Sequence, residues 1–203
     1  MLIVICGIDG SGKTTQIQML KEKLEEKNLI YLTKQPTNFY RRYDRFRNYV
    51  NSDIKKEISI LYELALLSAA DRMRHYNLEI ETNNNKIIIC DRYVFSSYAY
   101  FMARGLKDIT WLKEINKWSK LPDLTFYLDI SPEIAFKRII NREGQSKKKE
   151  ESDMNIMRKV RSFFLEQPWG IQDTYYIIKA DRDKEMIHRE IIDIVGKYIN
   201  LYF

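Results

Sequence analysis

One eight-residue pattern constrains this chain more than anything else in it. Gly7-Ile8-Asp9-Gly10-Ser11-Gly12-Lys13-Thr14 follows directly on the apolar run Leu2-Ile3-Val4-Ile5-Cys6. A glycine, four residues and then Gly-Lys-Thr make up the full phosphate-binding loop, which requires a strand before it and a helix after it. Both are present in the sequence. Leu2–Cys6 has the continuous apolar character of a strand covered on both faces, and from about Lys13 to Lys27 the residues Ile17, Leu20 and Leu24 recur at helical spacing. The glycines let backbone N–H groups converge on phosphate oxygens with no Cβ in the way. The helix that follows points its positive end at the same anion. Gly7, Asp9, Gly10, Ser11, Gly12, Lys13, Thr14 and Thr15 are therefore the candidate residues for a nucleoside triphosphate. Lys13 is expected at the β- and γ-phosphates, and the Thr14 hydroxyl on Mg²⁺.

The rest of the chain continues the alternation of strand and helix. Strand patterns are expected at Leu29–Thr33, Lys86–Cys90, Leu124–Ile130 and Tyr175–Lys179. A long helical pattern over Ile54–Glu81 has Asp53 as its candidate cap. Further helical patterns lie near Trp111–Ser119, Pro132–Arg142, Met154–Phe164 and Lys184–Ile199. Such alternation implies an α/β fold with a parallel sheet wrapped by helices, and ligands at the carboxyl ends of its strands. With 203 residues, no internal repeat and no Pro- or Ser-rich linker, one domain over 1–203 is expected. The apolar runs are too short to cross a bilayer. No charged leader with an apolar segment and a small-residue cleavage site opens the chain. Cys6 and Cys90 each end a strand pattern, where buried reduced thiols are expected. A cytoplasmic protein without membrane partners follows.

The net charge of +6 fits either nucleic acid or a site that must hold two phosphate-bearing ligands at once. Nucleic-acid binding needs basic residues interleaved with stacking aromatics, for which Phe39–Arg47 is the one candidate. The acceptor-side motif favours the second alternative. Asp91-Arg92-Tyr93 follows the third strand, at the sheet end that carries the phosphate loop. A carboxylate there can hold a Mg²⁺-bound water, and an arginine beside it can bridge a donor and an acceptor phosphate. Phosphoryl transfer leaves the protein little covalent chemistry, so cations that align two repelling anions supply most of the catalysis. A deoxynucleoside kinase, whose acceptor is a neutral hydroxyl, wants a carboxylate base after the second strand. Lys34 and Gln35 stand there instead.

Four segments in order, Gly7–Thr15, Ala69-Ala70-Asp71-Arg72, Asp91–Tyr100 and Leu121–Asp129, resemble the thymidylate kinase family of P-loop nucleoside monophosphate kinases. The resemblance implies the P-loop NTPase/nucleotide kinase fold with a five-stranded parallel sheet flanked by helices, ATP and Mg²⁺, dTMP as acceptor, and a homodimer. Position by position it implies that Asp9 faces the acceptor sugar and phosphate, that Arg72 bonds the base carbonyl, and that Arg92 holds the acceptor phosphate. Ser97 would touch the base, and the Tyr100 ring would crowd the sugar 2′ position. Asp91 would join Thr14 at the metal. Competing roles are a solvated helix position for Arg72 and core packing for Tyr100. The family's basic lid corresponds to about residues 142–152, with Arg142 and Lys147-Lys148-Lys149. Because the loop offers Ser11 where some members carry arginine, positive charge from that lid is expected to matter, with Arg142 as a catalytic candidate beside Lys13, Arg92 and Asp9.

Three departures concern the acceptor. Ser68 stands where the family places a phenylalanine that stacks on thymine. Positions four apart share a helix face, so Ser68 and Arg72 are expected in one pocket. Loss of that stacking costs about 1–3 kcal/mol unless another ring substitutes, with Phe39, Tyr98 and Phe101 available. Phe101 itself stands where bacterial members commonly have glutamine. The family's Arg-Glu-Pro-Gly-Gly loop becomes Lys34-Gln35-Pro36-Thr37-Asn38, followed by Arg41, Arg42, Arg45 and Arg47. One of these is expected on the acceptor phosphate, with Arg47 or Arg45 favoured. His75 and His188 have no chemical role assigned by the sequence.

Overall fold

The structure, a computed structural model, describes residues 1–51, 57–143, 153–170 and 172–202. Five strands, β1 Leu2–Cys6, β2 Ile30–Lys34, β3 Ile87–Asp91, β4 Leu124–Asp129 and β5 Tyr175–Lys179, form one sheet in the order β2-β3-β1-β4-β5. Every neighbouring pair is parallel. The side-chain pattern follows that order. Central β1, β3 and β4 are buried almost throughout and read as unbroken apolar runs, whereas edge strands β2 and β5 bury fewer positions.

Helices α1 Lys13–Leu24, α2 Asn38–Arg41, α3 Asp44–Asn51, α4 Ile58–His75, α5 Val94–Ala103, α6 Ile109–Glu114, α7 Pro132–Glu143, α8 Met154–Glu166 and α9 Lys184–Tyr202 surround the sheet. The chain leaves β1, crosses past β3 to β2, returns to β3 and then crosses to β4 on the other side of β1. This reversal opens a crevice at the carboxyl ends of β1 and β3, where parallel sheets bind ligands.

The expected strands and the long fourth helix are present, with α4 running on through a π turn at Tyr76–Ile80. Its proposed cap, Asp53, lies outside the described residues. Three helices were not expected from the sequence: α2, α3 and α5. α2 is only four residues long and starts from a Thr37 cap that accepts from the Phe39 N–H. α5 is buried around most of its circumference, so its sequence carries no amphipathic period to detect. Of the expected lid over 142–152, the Arg142 side chain and Lys147, Lys148 and Lys149 lie outside the described residues.

The phosphate loop is fixed against α7. A Cβ at Gly10 (φ +82°) would stand 2.4 Å from the Ala135 carbonyl oxygen, so only glycine lets the loop come this close. Gly12 (φ +95°) caps α1 and has open space beside it, leaving the helix N-terminus facing the crevice.

Candidate active site

Three charged side chains meet where β1 and β3 end side by side. Arg92 Nη2 donates to Asp9 Oδ1 at 2.7 Å, and Lys13 Nζ lies 3.6 Å from the same oxygen. Lys13 also donates to the carbonyl oxygens of Gly7 at 3.2 Å and Ile8 at 2.9 Å. Burial pushes the Lys13 ammonium down from its ordinary value and Arg92 adds to this, while Asp9 and Asp91 oppose it. Burial alone would also lower Arg92. Tyr100, Asp9 and Asp91 outweigh it and hold the guanidinium above its ordinary range.

The backbone at Arg92 is left-handed, with φ 64°. For a non-glycine residue that conformation costs about 1–2 kcal/mol, and the Arg92 N–H, which donates to the Ile5 carbonyl at 3.0 Å, helps to hold it. The turn brings the side chain to Asp9 rather than continuing the strand. Strained turns of this kind cluster at active sites and ligand clamps.

This cluster sits in a cavity of about 750 Å³. One end is the phosphate loop, with Gly10, Gly12, Lys13, Thr14 and Thr15 on its wall. The other end reaches Ser68, Ser97, Tyr100 and Phe101, and Asp9, Asp91 and Arg92 lie on the wall as well. Gly7 shapes the loop, and Ser11 packs beneath it with its hydroxyl buried and unpartnered among the described residues.

Two groups fit a magnesium ion. Thr14 offers an exposed hydroxyl, and Asp91 Oδ1 is buried with no hydrogen-bond partner among the described residues. A hydroxyl and a carboxylate are hard oxygen donors, and Mg²⁺ completes its shell with water and phosphate rather than a full protein cage.

The expected base-contacting residues divide into wall and support. Tyr100 is on the wall, with the Arg92 guanidinium 5.1 Å and the Arg104 guanidinium 5.5 Å from its ring centre. Arg72 is not solvated. It is 1% exposed, bonds Asn116 and Ser97, and stands 5.6 Å from the Tyr93 ring centre. It does not line the cavity; Ser97, which does, is also 3.3 Å from Ser68. Burial lowers the Arg72 pKa from its ordinary value, and Tyr93, Tyr98 and Asp71 oppose this. Of the three candidate replacement rings only Phe101 is on the wall. Tyr98 is buried beside Phe95 and Trp169, and Phe39 is exposed beneath Arg74.

Among the arginines after β2, Arg47 lines the cavity and stands 3.5 Å from Asp44, and Arg45, which does not line it, pairs with Glu63 at 2.9 Å. Arg41 lines it too, with its Nε donating to the Pro36 carbonyl at 2.7 Å.

A family model described as "Thymidylate kinase" matches residues 5–191. A "Probable thymidylate kinase" of Pyrococcus abyssi is 38% identical over 95% of this chain and 94% of its own length. One of Staphylothermus marinus is 35% identical over 97% and 95%. A "Thymidylate kinase" of Acholeplasma laidlawii is 32% identical over 97% and 99%. The chain belongs to the thymidylate kinase family.

As a member of the thymidylate kinase family the chain has wall residues that sequence reasoning did not single out. Tyr40 and Phe46, on the unexpected α2 and α3, contribute rings. Arg104 lies one helical turn after Tyr100, a spacing that would have revealed it had α5 been recognised. Arg138 likewise lies one turn before Arg142 on α7. Ile156 and Met157 come from α8, which Arg161 ties to the end of β4 through two bonds to Asp129 at 2.7 and 2.9 Å.

The support role of Arg72 makes a stability prediction. Asn116→Ala removes one acceptor from a fully buried guanidinium and is expected to destabilise the fold by about 1.5–3 kcal/mol, read as a lower urea midpoint. An unchanged midpoint would show that Arg72 does not depend on Asn116.

Proposed function

We propose that this protein transfers the γ-phosphate of Mg-ATP to dTMP, giving dTDP and ADP. The observation that carries this reading is one cavity lined both by the phosphate loop with Lys13 and by Ser68 and Ser97, with Asp9 joining Lys13 to Arg92 on its wall. Two unit charges of like sign 4 Å apart repel by about 4 kcal/mol in a surface-like dielectric of 20. Bringing two phosphates together therefore needs fixed cations between them.

In this mechanism Lys13 turns from the Gly7 and Ile8 carbonyls to the β- and γ-phosphates, while the loop N–H groups and the α1 N-terminus hold the chain of phosphates. Arg92, anchored on Asp9, has a second nitrogen, Nη1, that is buried and unpartnered among the described residues; it engages the acceptor phosphate. An acceptor phosphate oxygen attacks the γ-phosphorus, the bond to the β,γ-bridging oxygen breaks, and ADP departs with the electron pair. Mg²⁺ held by Thr14 and, through water, by Asp91 would neutralise charge on the transferring phosphoryl group. Arg47, which also lines the cavity, serves the acceptor phosphate. Ser68, Ser97 and Tyr100 face the nucleoside, with Arg72 holding Ser97 in place, and Phe101 is the candidate ring for the base.

The kinase unit spans 1–203. Its place is the cytoplasm, supported by two buried free thiols, Cys6 and Cys90; recovery of the native protein from an oxidising compartment would overturn that location. The partner is a second copy of the chain. Ile58, Tyr62 and Leu66 recur every four residues on α4 and are exposed, an apolar stripe that a symmetric helix pair would cover. Sedimentation at micromolar concentration is expected to give twice the chain mass, and a single-chain mass would contradict the dimer.

ADP release from Mg-ATP tests the reaction with dTMP, dUMP, dCMP, dGMP, dAMP, the ribonucleotides and thymidine, using Lys13→Ala as the blank. Turnover is expected to be highest with dTMP and absent with thymidine. Arg92→Gln is expected to lower kcat/KM for dTMP by about 10³-fold, the low end of what a transition-state arginine contributes. Highest turnover with another monophosphate would overturn dTMP as acceptor. No acceptor-dependent release would overturn the kinase.

A further inference from the structure

Behind the cavity wall lies a chain of hydrogen bonds that the mechanism above does not use. Glu79 Oε2 accepts from the Thr33 hydroxyl at 2.7 Å. Thr33 Oγ1 also stands 2.6 Å from His75 Nε2, and His75 Nδ1 stands 2.9 Å from Gln35 Nε2. His75 is 1% exposed and Gln35 2%, and Gln35 lines the cavity.

The donors and acceptors in this chain permit one assignment for a neutral ring. Thr33 has a single proton and gives it to the Glu79 carboxylate, so its oxygen must accept from His75 Nε2–H. His75 Nδ1 then carries a lone pair and accepts from the Gln35 amide NH₂. The Gln35 carbonyl oxygen, Oε1, is left buried and without a partner among the described residues. Burial keeps the ring neutral at pH 7 by lowering its pKa from 6.5. Glu79 and Asp71 pull it upward, and Arg72 on the same helix reinforces the lowering.

Gln35 sits at the root of the loop that carries the acceptor-side arginines. Its N–H donates to the Asp91 carbonyl at 2.9 Å, and the next residue's carbonyl holds Arg41. A fixed Gln35 side chain therefore fixes the start of the loop that brings Arg41 and Arg47 to the cavity wall.

We propose that His75 is a positioning residue, which through the Glu79–Thr33 chain fixes the Gln35 side chain and with it the root of the loop that carries the acceptor-side arginines. Its effect on turnover rests on the kinase function proposed above. The hydrogen-bond assignment does not.

The experiment has two parts. Imidazole ¹⁵N spectra of the wild-type protein at pH 7 are expected to show His75 protonated at Nε2 and unprotonated at Nδ1; the opposite tautomer would overturn the proposal. In kinetics, His75→Leu is expected to raise the KM for dTMP about tenfold, the scale of one lost hydrogen bond, with the KM for ATP changed by less than about twofold. His75→Asn keeps an acceptor oxygen near the place of Nδ1 and is expected to restore most of the dTMP affinity. Equal rises in both KM values, or no recovery in His75→Asn, would mark a merely structural histidine. If His75→Leu does not fold, the tautomer and His75→Asn decide. A wild-type protein with no acceptor turnover would instead overturn the kinase function, and the spectra would still decide the tautomer.

Discussion

Lys13 is buried and Arg92 largely so, and what keeps the two cations in one place is the carboxylate of Asp9. Without it two like charges would repel across a poorly solvated gap, at a cost of about 4 kcal/mol for a 4 Å separation in a dielectric of 20. Asp9 is a loop residue after β1, Lys13 opens α1, and Arg92 follows β3. The ion cluster therefore joins three elements at the one point where the sheet reverses its strand order. The left-handed turn at Arg92 and the close approach of Gly10 to Ala135 are backbone accommodations to the same demand. Arg92 Nη1 remains without a partner among the described residues and is the donor left for a phosphate oxygen, whereas the unpartnered Asp91 Oδ1 suits a cation.

The distribution of support behind the wall shows how the acceptor chamber is built. Asp71 accepts from the Thr37 N–H at 2.9 Å and also binds its hydroxyl, pinning the loop after β2 to α4. The next residue, Arg72, holds Ser97 on α5. Three residues further on, His75 meets Gln35. One helix thus organises both sides of the chamber from behind, and few of its own side chains reach the ligand. Ser68 is its one residue on the cavity wall, and the rings on that wall come from α2, α3 and α5, where Tyr40, Phe46 and Phe101 stand.

Much of this was legible in the sequence because the signals were local. The phosphate loop, its flanking strand and helix, and Asp91-Arg92 after an isoleucine run all carry their meaning within a few residues. The shared face of Ser68 and Arg72 was also legible, since helical spacing alone gives it. What spacing could not give was depth. Both side chains are buried, yet Ser68 reaches the cavity while Arg72 lies behind Ser97, a distinction set by how α5 packs on α4. α5 itself was hidden because a helix buried on nearly every side has no polar face to mark its period. The role of His75 was hidden for a related reason. Its partners Thr33 and Gln35 are about forty residues away, and only the sheet brings them together.

The central claim is that one cavity holds donor and acceptor phosphates together across the Lys13–Asp9–Arg92 cluster. The most direct test is calorimetric binding of a dinucleotide in which adenosine and thymidine are joined through five phosphates, compared with ATP and dTMP separately. If both ends are engaged at once, the linked ligand should bind at least about a hundredfold more tightly than either nucleotide, the lower range of an effective-concentration gain, and Arg92→Gln should lose most of that gain. Affinity no better than that of ATP alone would show that the two ends of the cavity do not act together.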